Sequence, residues 1–468
     1  MEQTVAALQR AFAHASDYLS GLDTRPVAAS VAAGDLRDRL NVALGAEGTD
    51  AAQVIDDLVA ATQGGHLGSA GGRFFAWVIG GALPSALAAD WLVSTWDNNA
   101  ALTACGPAAA AVEEVAGAWI KDLLGLPASA SFAFTTGCQM AHFTCLAAAR
   151  NALLSARGWD VERDGLAGAP PIRLLVTEHR HGSIERAARF LGLGTASIIA
   201  VTSGGDAAME PDGLAAALGS SDQPTIVILD AADLNVGAFD PFAALIPLAR
   251  KAGAWVHVDG AFGLWARTSP RFAHLAAGVE LADSWATDAH KWLNTPKDIG
   301  VAIVADRDAH RAAMAIGAAY LAPDATVRDQ IDWTPDWTRR ARGFPVYAAL
   351  RELGRDGVAA LVERCCDHAR ALTDGIAALP GAELVARPRL NQGLVRFRHP
   401  EAGADAAAQD AWTDRIIAAI NAEGTAFFSG TSWYGRRAMR ISVVNWRTGA
   451  EDVARTIDAV ARVNAASA

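Results

Sequence analysis

The chain has 468 residues, 51% hydrophobic and 19% charged, a globular composition long enough for two or three domains and unlike that of a disordered chain. The formal net charge is −11 with no long basic run, which argues against nucleic acid as a partner. The uncharged run Phe74–Ala89 contains Pro84 and is too short to span a bilayer, and no apolar leader follows Glu2, so neither a membrane span nor a secretory signal is expected. Five cysteines (Cys105, Cys138, Cys145, Cys365 and Cys366) lack zinc-ligand spacing. The adjacent pair falls in a helical pattern, which points to a reduced, cytoplasmic compartment and to no metal site.

Thr4–Leu22 and Asp50–Ala61 read as amphipathic helices joined by a polar segment, an arm with too little core to stand alone. Gly64–Trp96 is rich in glycine and aromatics. There Phe74, Phe75, Trp77 and Trp96 suit an apolar pocket and equally well a packed core. Pro107 opens a helix through Leu124, closed by Gly125. From Ser131 the pattern alternates. FAFTTG is a strand followed by a helix, Gln139–Ala156, and RLLVTE (Arg173–Glu178) is a strand followed by the helix SIERAARFLG. SIIAVT, TIVILDA and AWVHVDG are further strands, with helices at Asp212–Leu218 and Asp240–Ala252. Strands that are apolar throughout, each followed by a helix, predict an α/β fold with a mostly parallel central sheet covered on both faces. In such sheets the carboxyl ends of the strands carry the chemistry. DSWATDAHKWLN presents His290 and Lys291 at a later strand end, and GVAIVAD (Gly300–Asp306) adds one more strand. A loop-rich stretch, Tyr320–Trp337, precedes a helix from Phe344. From Gly357 the chain reads helix, strand (AELVARP), strand (GLVRFRH), helix, strand (AMRISVVN), helix, a smaller α+β domain. Thr448 and Glu451 have the spacing of a capping box for the last helix. The expected division is an N-terminal helical arm at 1–95, a large domain at 96–345 and a small C-terminal domain at 346–468.

Four strand ends hold candidate chemistry. Gly137, between a strand and a helix, lets the backbone approach an anion, and the N–H groups of the following helix favour negative charge. Such turns are common in α/β proteins, and the absence of a glycine–lysine pair excludes a P-loop. His179 and His181 follow the strand ending at Glu178. An imidazole there could stack on an aromatic cofactor, act as acid or base, or simply cap the helix at Ser183. Asp259 ends an apolar strand, where a buried carboxylate needs a partner; alternatively it forms the turn into GAFG. Lys291 is nucleophilic if burial lowers its pKa, and otherwise an exposed lysine like Lys297. A lysine and a carboxylate at two strand ends suit an aldehyde cofactor with a basic ring nitrogen. Lysine can form a Schiff base with the aldehyde, and the carboxylate can keep the pyridinium protonated.

DSWATDAHKWLN, with HVDGAFG upstream, resembles the group II pyridoxal-phosphate-dependent decarboxylases, which include the aromatic amino acid, glutamate, histidine and diaminobutyrate decarboxylases. The likeness runs from the Phe74 region to the C-terminal domain and is most specific at His290-Lys291-Trp292. It implies the fold-type I architecture, an L-amino acid decarboxylase using pyridoxal 5'-phosphate, and a homodimer with active sites at its interface. Carried over by position, Lys291 would hold the cofactor aldehyde and Asp259 would pair with the pyridinium nitrogen. Ala261 would pack under the ring and His181 would stack over its other face. Gly137, Cys138 and Gln139 would meet the phosphate, His290 would contact it or the substrate, and Asn235 would lie near the cofactor hydroxyl.

The chain departs from the family in two places. Cys138 and Gln139 stand where many members carry Ser or Thr. LAPDATVRDQIDWTPDW, where many decarboxylases place a tyrosine that helps protonate the carbanion, has none; Tyr320 precedes it and Trp333 and Trp337 fall in its later part. An enzyme on the same scaffold with another outcome (decarboxylative aldehyde formation, transamination or carbon–carbon lysis) is therefore a rival reading. A catalytically silent binding or regulatory homologue is a third, and the intact set Lys291, Asp259, His181 and His290 argues against it. An acidic substrate would want an arginine, with Arg340, Arg342, Arg436 and Arg437 as candidates.

Overall fold

The computed structural model describes residues 1–205, 207–316, 328–401 and 403–467. Tyr320 and the first part of the tyrosine-free stretch, through residue 327, lie outside the described residues. Two compact units emerge. The larger comprises Gly80–Asp367 with Pro388–Gly393, and the other comprises Met1–Ile79, His368–Arg387 and Leu394–Ala468.

The larger unit is organised on seven strands: β1 (Ser131–Thr135), β2 (Arg173–Thr177), β3 (Ile198–Val201), β4 (Thr225–Asp230), β5 (Trp255–Asp259), β6 (Ser284–Asp288) and β7 (Gly300–Val304). Their order across the sheet is β1-β7-β6-β5-β4-β2-β3. β3, β2, β4, β5 and β6 run parallel, while β7 is antiparallel to both β6 and β1. Every residue of β1, β2, β4, β5, β6 and β7 is buried, so both sheet faces are covered, as runs of Val, Ile, Leu and Ala without alternation require. Helix Cys138–Ser155 lies against β1, β5, β6 and β7, and the small side chains Ala141, Cys145, Ala148 and Ala149 on its buried face permit close approach. Register sets Asp230 beside Asp259, and both Thr135 and Asp288 beside Gly300, which brings the carboxyl ends of the strands level.

The other unit carries a four-stranded sheet in the order β10-β11-β9-β8, formed by β8 (Ala382–Ala386), β9 (Gln392–Phe397), β10 (Ser429–Trp433) and β11 (Arg436–Ser442). An N-terminal segment is stitched to it. Phe75 N–H donates to Phe427 O, Phe75 O accepts from Ser442 N–H, and the Phe74 ring stacks on Phe427 at 5.3 Å. Phe74 and Phe75 are therefore core residues here, while Trp77 is half-exposed. Helices Ala33–Leu40 and Pro84–Trp96 were not expected from the sequence; the second starts on Pro84, a helix-opening position. The capping box at Thr448 needs correction: its hydroxyl donates to Gly72 O, and Asp452 accepts the Gly449 N–H before the last helix. Among the described residues no helix is long and apolar enough to cross a membrane.

Candidate active site

The apolar strands of the larger unit end in polar residues at one edge: Thr135 (β1), Thr177 (β2), Asp230 (β4), Asp259 (β5) and Asp288 (β6). Lys291 follows β6 by three residues, and its Nζ lies 2.9 Å from Asp288 Oδ2. Asp288 Oδ1 accepts the Cys138 N–H at 2.6 Å and lies 3.5 Å from His290 Nδ1. One carboxylate thus ties the first turn of helix Cys138–Ser155 to the His290–Lys291 pair. Burial alone would pull the Lys291 pKa down, but Asp288 and its other negative neighbours outweigh it, so the amine is held above its ordinary value as an ammonium. Gly80 explains part of the glycine-rich stretch, since a Cβ there would sit 2.0 Å from Lys291 O. Next to it, Gly81 N–H and Leu83 N–H donate to Asn294 Oδ1 and O, each at 2.8 Å, fixing the loop after the lysine.

Asp259 Oδ1 accepts the Ala261 N–H at 3.1 Å, and Oδ2 lies 3.4 Å from His142 Nε2. Burial would raise this carboxyl, yet His142 first, and His181 and Lys291 after it, hold it well below the ordinary carboxylate range. It is an ionised, nearly enclosed carboxylate. Behind it His142 meets His257, at 2.9 Å, and His257 meets Ser284, also at 2.9 Å. Sequence reasoning singled out none of Asp288, His142 and His257. Strand alternation does put His257 on the Asp259 face, and helical spacing puts His142 one turn after Cys138.

At the turn, Gly137 has φ +94°, a conformation that favours glycine. Gly300 on β7 packs directly against it, and a Cβ at Gly300 would lie 2.2 Å from Gly137 C. Gln139 Nε2 and the hydroxyls of Thr287 and Thr295 are buried without a hydrogen-bond partner among the described residues. The open Gln139 donor, in the first turn of helix Cys138–Ser155, fits a group rich in acceptor oxygens, as a phosphate is. With a lysine and an ionised carboxylate on the same sheet edge, the residues present fit pyridoxal phosphate.

The remaining candidates have mixed placements. Ala261 is joined to the site through Asp259 and through its carbonyl, which accepts the Asp288 N–H at 3.0 Å. His290 is anchored through Nδ1 to the Ile299 backbone, and burial lowers its pKa. His181 caps helix Gly182–Phe190, its Nδ1 accepting the Ser183 N–H at 3.2 Å, while remaining close enough to act on Asp259. Asn235 sits in the loop after β4, its N–H donating to Asp233 Oδ1 at 2.8 Å. All four candidate arginines are engaged by carboxylates: Arg340 by Asp90, Arg342 by Asp298 and Asp336, Arg436 by Glu383 and Arg437 by Asp414. Trp333 is buried, and Trp337 is partly exposed.

A profile of the pyridoxal-dependent decarboxylase conserved domain matches residues 34–399. The L-2,4-diaminobutyrate decarboxylase of Rhizobium meliloti (strain 1021) is 32% identical over 388 residues, 80% of this chain and 74% of its own. Tryptophan decarboxylase 1 of Oryza sativa subsp. japonica is 28% identical over 465 residues, 93% of this chain and 88% of its own. The fold matches the crystal structure of Oryza sativa TDC with PLP and tryptamine at a TM-score of 0.92, with 24% identity, over 100% of this chain and 98% of that one. By the extent of the profile match and the identity to its curated relatives, the chain belongs to the pyridoxal-dependent decarboxylase family.

Proposed function

We propose that Lys291, Asp259 and the Gly137–Gln139 turn form the working site of this pyridoxal-phosphate-dependent amino acid decarboxylase, and that its substrate is an L-amino acid without an acidic side chain. The observation that carries the site is the enclosed carboxylate of Asp259, held ionised by His142 and sharing a strand edge with Lys291. When bound, the cofactor supplies an electron sink for the pair left behind as the bond to the substrate carboxylate breaks. Every other part falls to the protein. Lys291 Nζ would hold the aldehyde carbon, and Asp288 Oδ2, 2.9 Å away, is the acceptor for the proton the ammonium must give up first. Asp259 would hold the proton of the ring nitrogen. Gln139 Nε2, at the start of helix Cys138–Ser155, would anchor the phosphate.

Ala261 below and His181 above would fix the ring plane, which decides which substrate bond stands perpendicular to it and breaks. His290, kept neutral by burial, would present its free ring nitrogen to phosphate or substrate. Asn235 would serve the cofactor hydroxyl, and Cys138, its N–H held by Asp288, would fix the shape of the phosphate turn. The engagement of Arg340, Arg342, Arg436 and Arg437 by carboxylates supports a non-acidic substrate, as do the substrates in the names of the two curated relatives. A homodimer is supported by the apolar side chains Val5, Leu8, Phe12 and Leu58 exposed on two N-terminal helices, and a cytoplasmic setting by five cysteines outside any disulfide.

The test is incubation with a mixture of L-amino acids while carbon dioxide, amine, aldehyde, ammonia and keto acid are read together. Amine with carbon dioxide is the expected outcome. The tyrosine-free stretch before Trp337 favours one rival, in which aldehyde and ammonia appear with the carbon dioxide; keto acid alone would indicate transamination. Lys291→Ala is expected to reduce turnover to background and to abolish the visible band of lysine-bound cofactor. Full activity in that variant would overturn the assignment.

A further inference from the structure

Behind Asp259 a row of buried side chains forms hydrogen bonds whose direction is fixed at the carboxylate end. Trp255 Nε1–H can only donate, and it does so to Ser284 Oγ at 2.9 Å. The Ser284 hydroxyl can donate to His257 Nδ1, also at 2.9 Å, while the Ser284 backbone is a competing acceptor for that ring. The hydroxyl's other neighbour, the Cys145 sulfur, is the weaker acceptor. With Nδ1 accepting, a neutral His257 carries its proton on Nε2, which faces His142 Nδ1 at 2.9 Å. His142 in turn carries its proton on Nε2, facing Asp259 Oδ2 at 3.4 Å. A carboxylate can only accept, so the polarity of the row is set from the Asp259 end. Trp255, Ser284, His257, His142 and Asp259 are all buried, and burial lowers the pKa of His257 well below the ordinary imidazole value. The ionisable groups facing the two rings are each other, Cys138 and Asp259. Cys138 Sγ also lies 3.4 Å from His142 Nε2 and shares that N–H with Asp259 in this polarity.

We propose that Trp255, Ser284, His257 and His142 are positioning residues that orient Asp259 toward the cofactor ring and keep it ionised, with both imidazoles locked as neutral Nε2–H tautomers. The cofactor part rests on the role given to Asp259 above; the tautomers do not. The first measurement is nitrogen-15 NMR of the cofactor-free full chain labelled at histidine, with His142 and His257 assigned through the variants below. Both rings are expected as Nε2–H tautomers, and His257, whose pKa burial lowers, is expected not to protonate between about pH 5 and pH 8, the range in which free imidazole titrates. An Nδ1–H tautomer at either ring, or protonation of His257 at the ordinary imidazole value, would overturn the proposal.

The second measurement compares His257→Leu, which cuts the row, with His257→Gln, whose amide can donate near the place of Nε2. In folded protein, checked by circular dichroism, the leucine variant is expected to bind pyridoxal phosphate about ten-fold more weakly, equivalent to one pKa unit on the Asp259–ring pair. The spectrum of its bound cofactor is expected to become pH-dependent, and glutamine is expected to restore both properties. Unchanged affinity and spectrum in the leucine variant would overturn the positioning role. A wild-type chain that binds no cofactor would defeat the role of Asp259 and leave the tautomer result to stand alone.

Discussion

Asp230 and Asp259 are register partners at the ends of β4 and β5, yet their surroundings drive them apart. Asp230 accepts one hydroxyl, from Thr177 at 3.0 Å, and faces the carboxylates of Asp240 and Asp259. Burial first, then those like charges, push its pKa well above the ordinary value. For a carboxyl raised on folding, the native state binds the extra proton. The stabilisation is complete below the unfolded value of about 3.9 and is lost as pH rises through the folded value. Asp230→Asn keeps the shape without an ionisable proton. It should raise the thermal midpoint at neutral pH, with a gain on the order of 1 kcal/mol, and flatten the fall in stability on the alkaline side. A lower neutral-pH midpoint in that variant would refute the claim that ionising Asp230 costs the fold stability. Asp259 has the opposite sign, since its contribution is present above the unfolded value and is lost as pH falls. Asp259 and Lys291 were legible in the sequence because each is a charge at the end of an apolar run. His142, His257 and Asp288 were not, because their meaning is relational: His142 and His257 are 115 residues apart and meet only when helix and strand pack.

At the scale of elements, the strand–turn–helix from β1 through Gly137 to helix Cys138–Ser155 depends on β7 at its side. Gly300 has an ordinary backbone conformation, so its constraint is steric: a methyl group there would meet the carbonyl carbon of Gly137. Gly300→Ala is expected to destabilise the fold by about 1–3 kcal/mol, as overpacking of a close contact does, and to weaken cofactor binding by displacing the turn. Chemical denaturation and a cofactor titration read the two effects, and a variant with wild-type values for both would remove Gly300 from the site. The strands of this sheet were legible as short apolar runs bounded by turns, but the reversed direction of β7 was not, because GVAIV carries no polarity. The signal lay in the connection: residues 289–299 are too few for a crossover helix between parallel neighbours. β10 escaped for another reason. SGTSW lacks apolar alternation, and its hairpin is marked instead by Tyr434 and Gly435, both at positive φ.

The molecule as a whole contains a unit assembled from three separate stretches of chain, and its stability depends on pairings that no local pattern reports. Arg73, only 3% exposed, joins residues hundreds of positions apart. Its Nε donates to Thr425 O at 2.8 Å, Nη2 to Asp23 O at 3.1 Å, and Nη1 pairs with Asp452 at 3.1 Å. Arg73→Leu retains bulk but strands these acceptors, including a carboxylate that is four-fifths enclosed. Breaking a buried pair from one side costs about 3–5 kcal/mol. Arg73→Lys keeps the charge but loses the planar fork that reaches three acceptors at once, so it should recover only part of that loss. Each unit has its own sheet and core, so the damage should be local. Hydrogen exchange should show lost protection in β11 and in the helix Ala450–Ser467, while β4 and β5 remain protected. Equal loss in both units would mean that they unfold as one cooperative body. Unchanged protection everywhere would mean that the buried guanidinium contributes nothing net, its desolvation having cancelled its bonds.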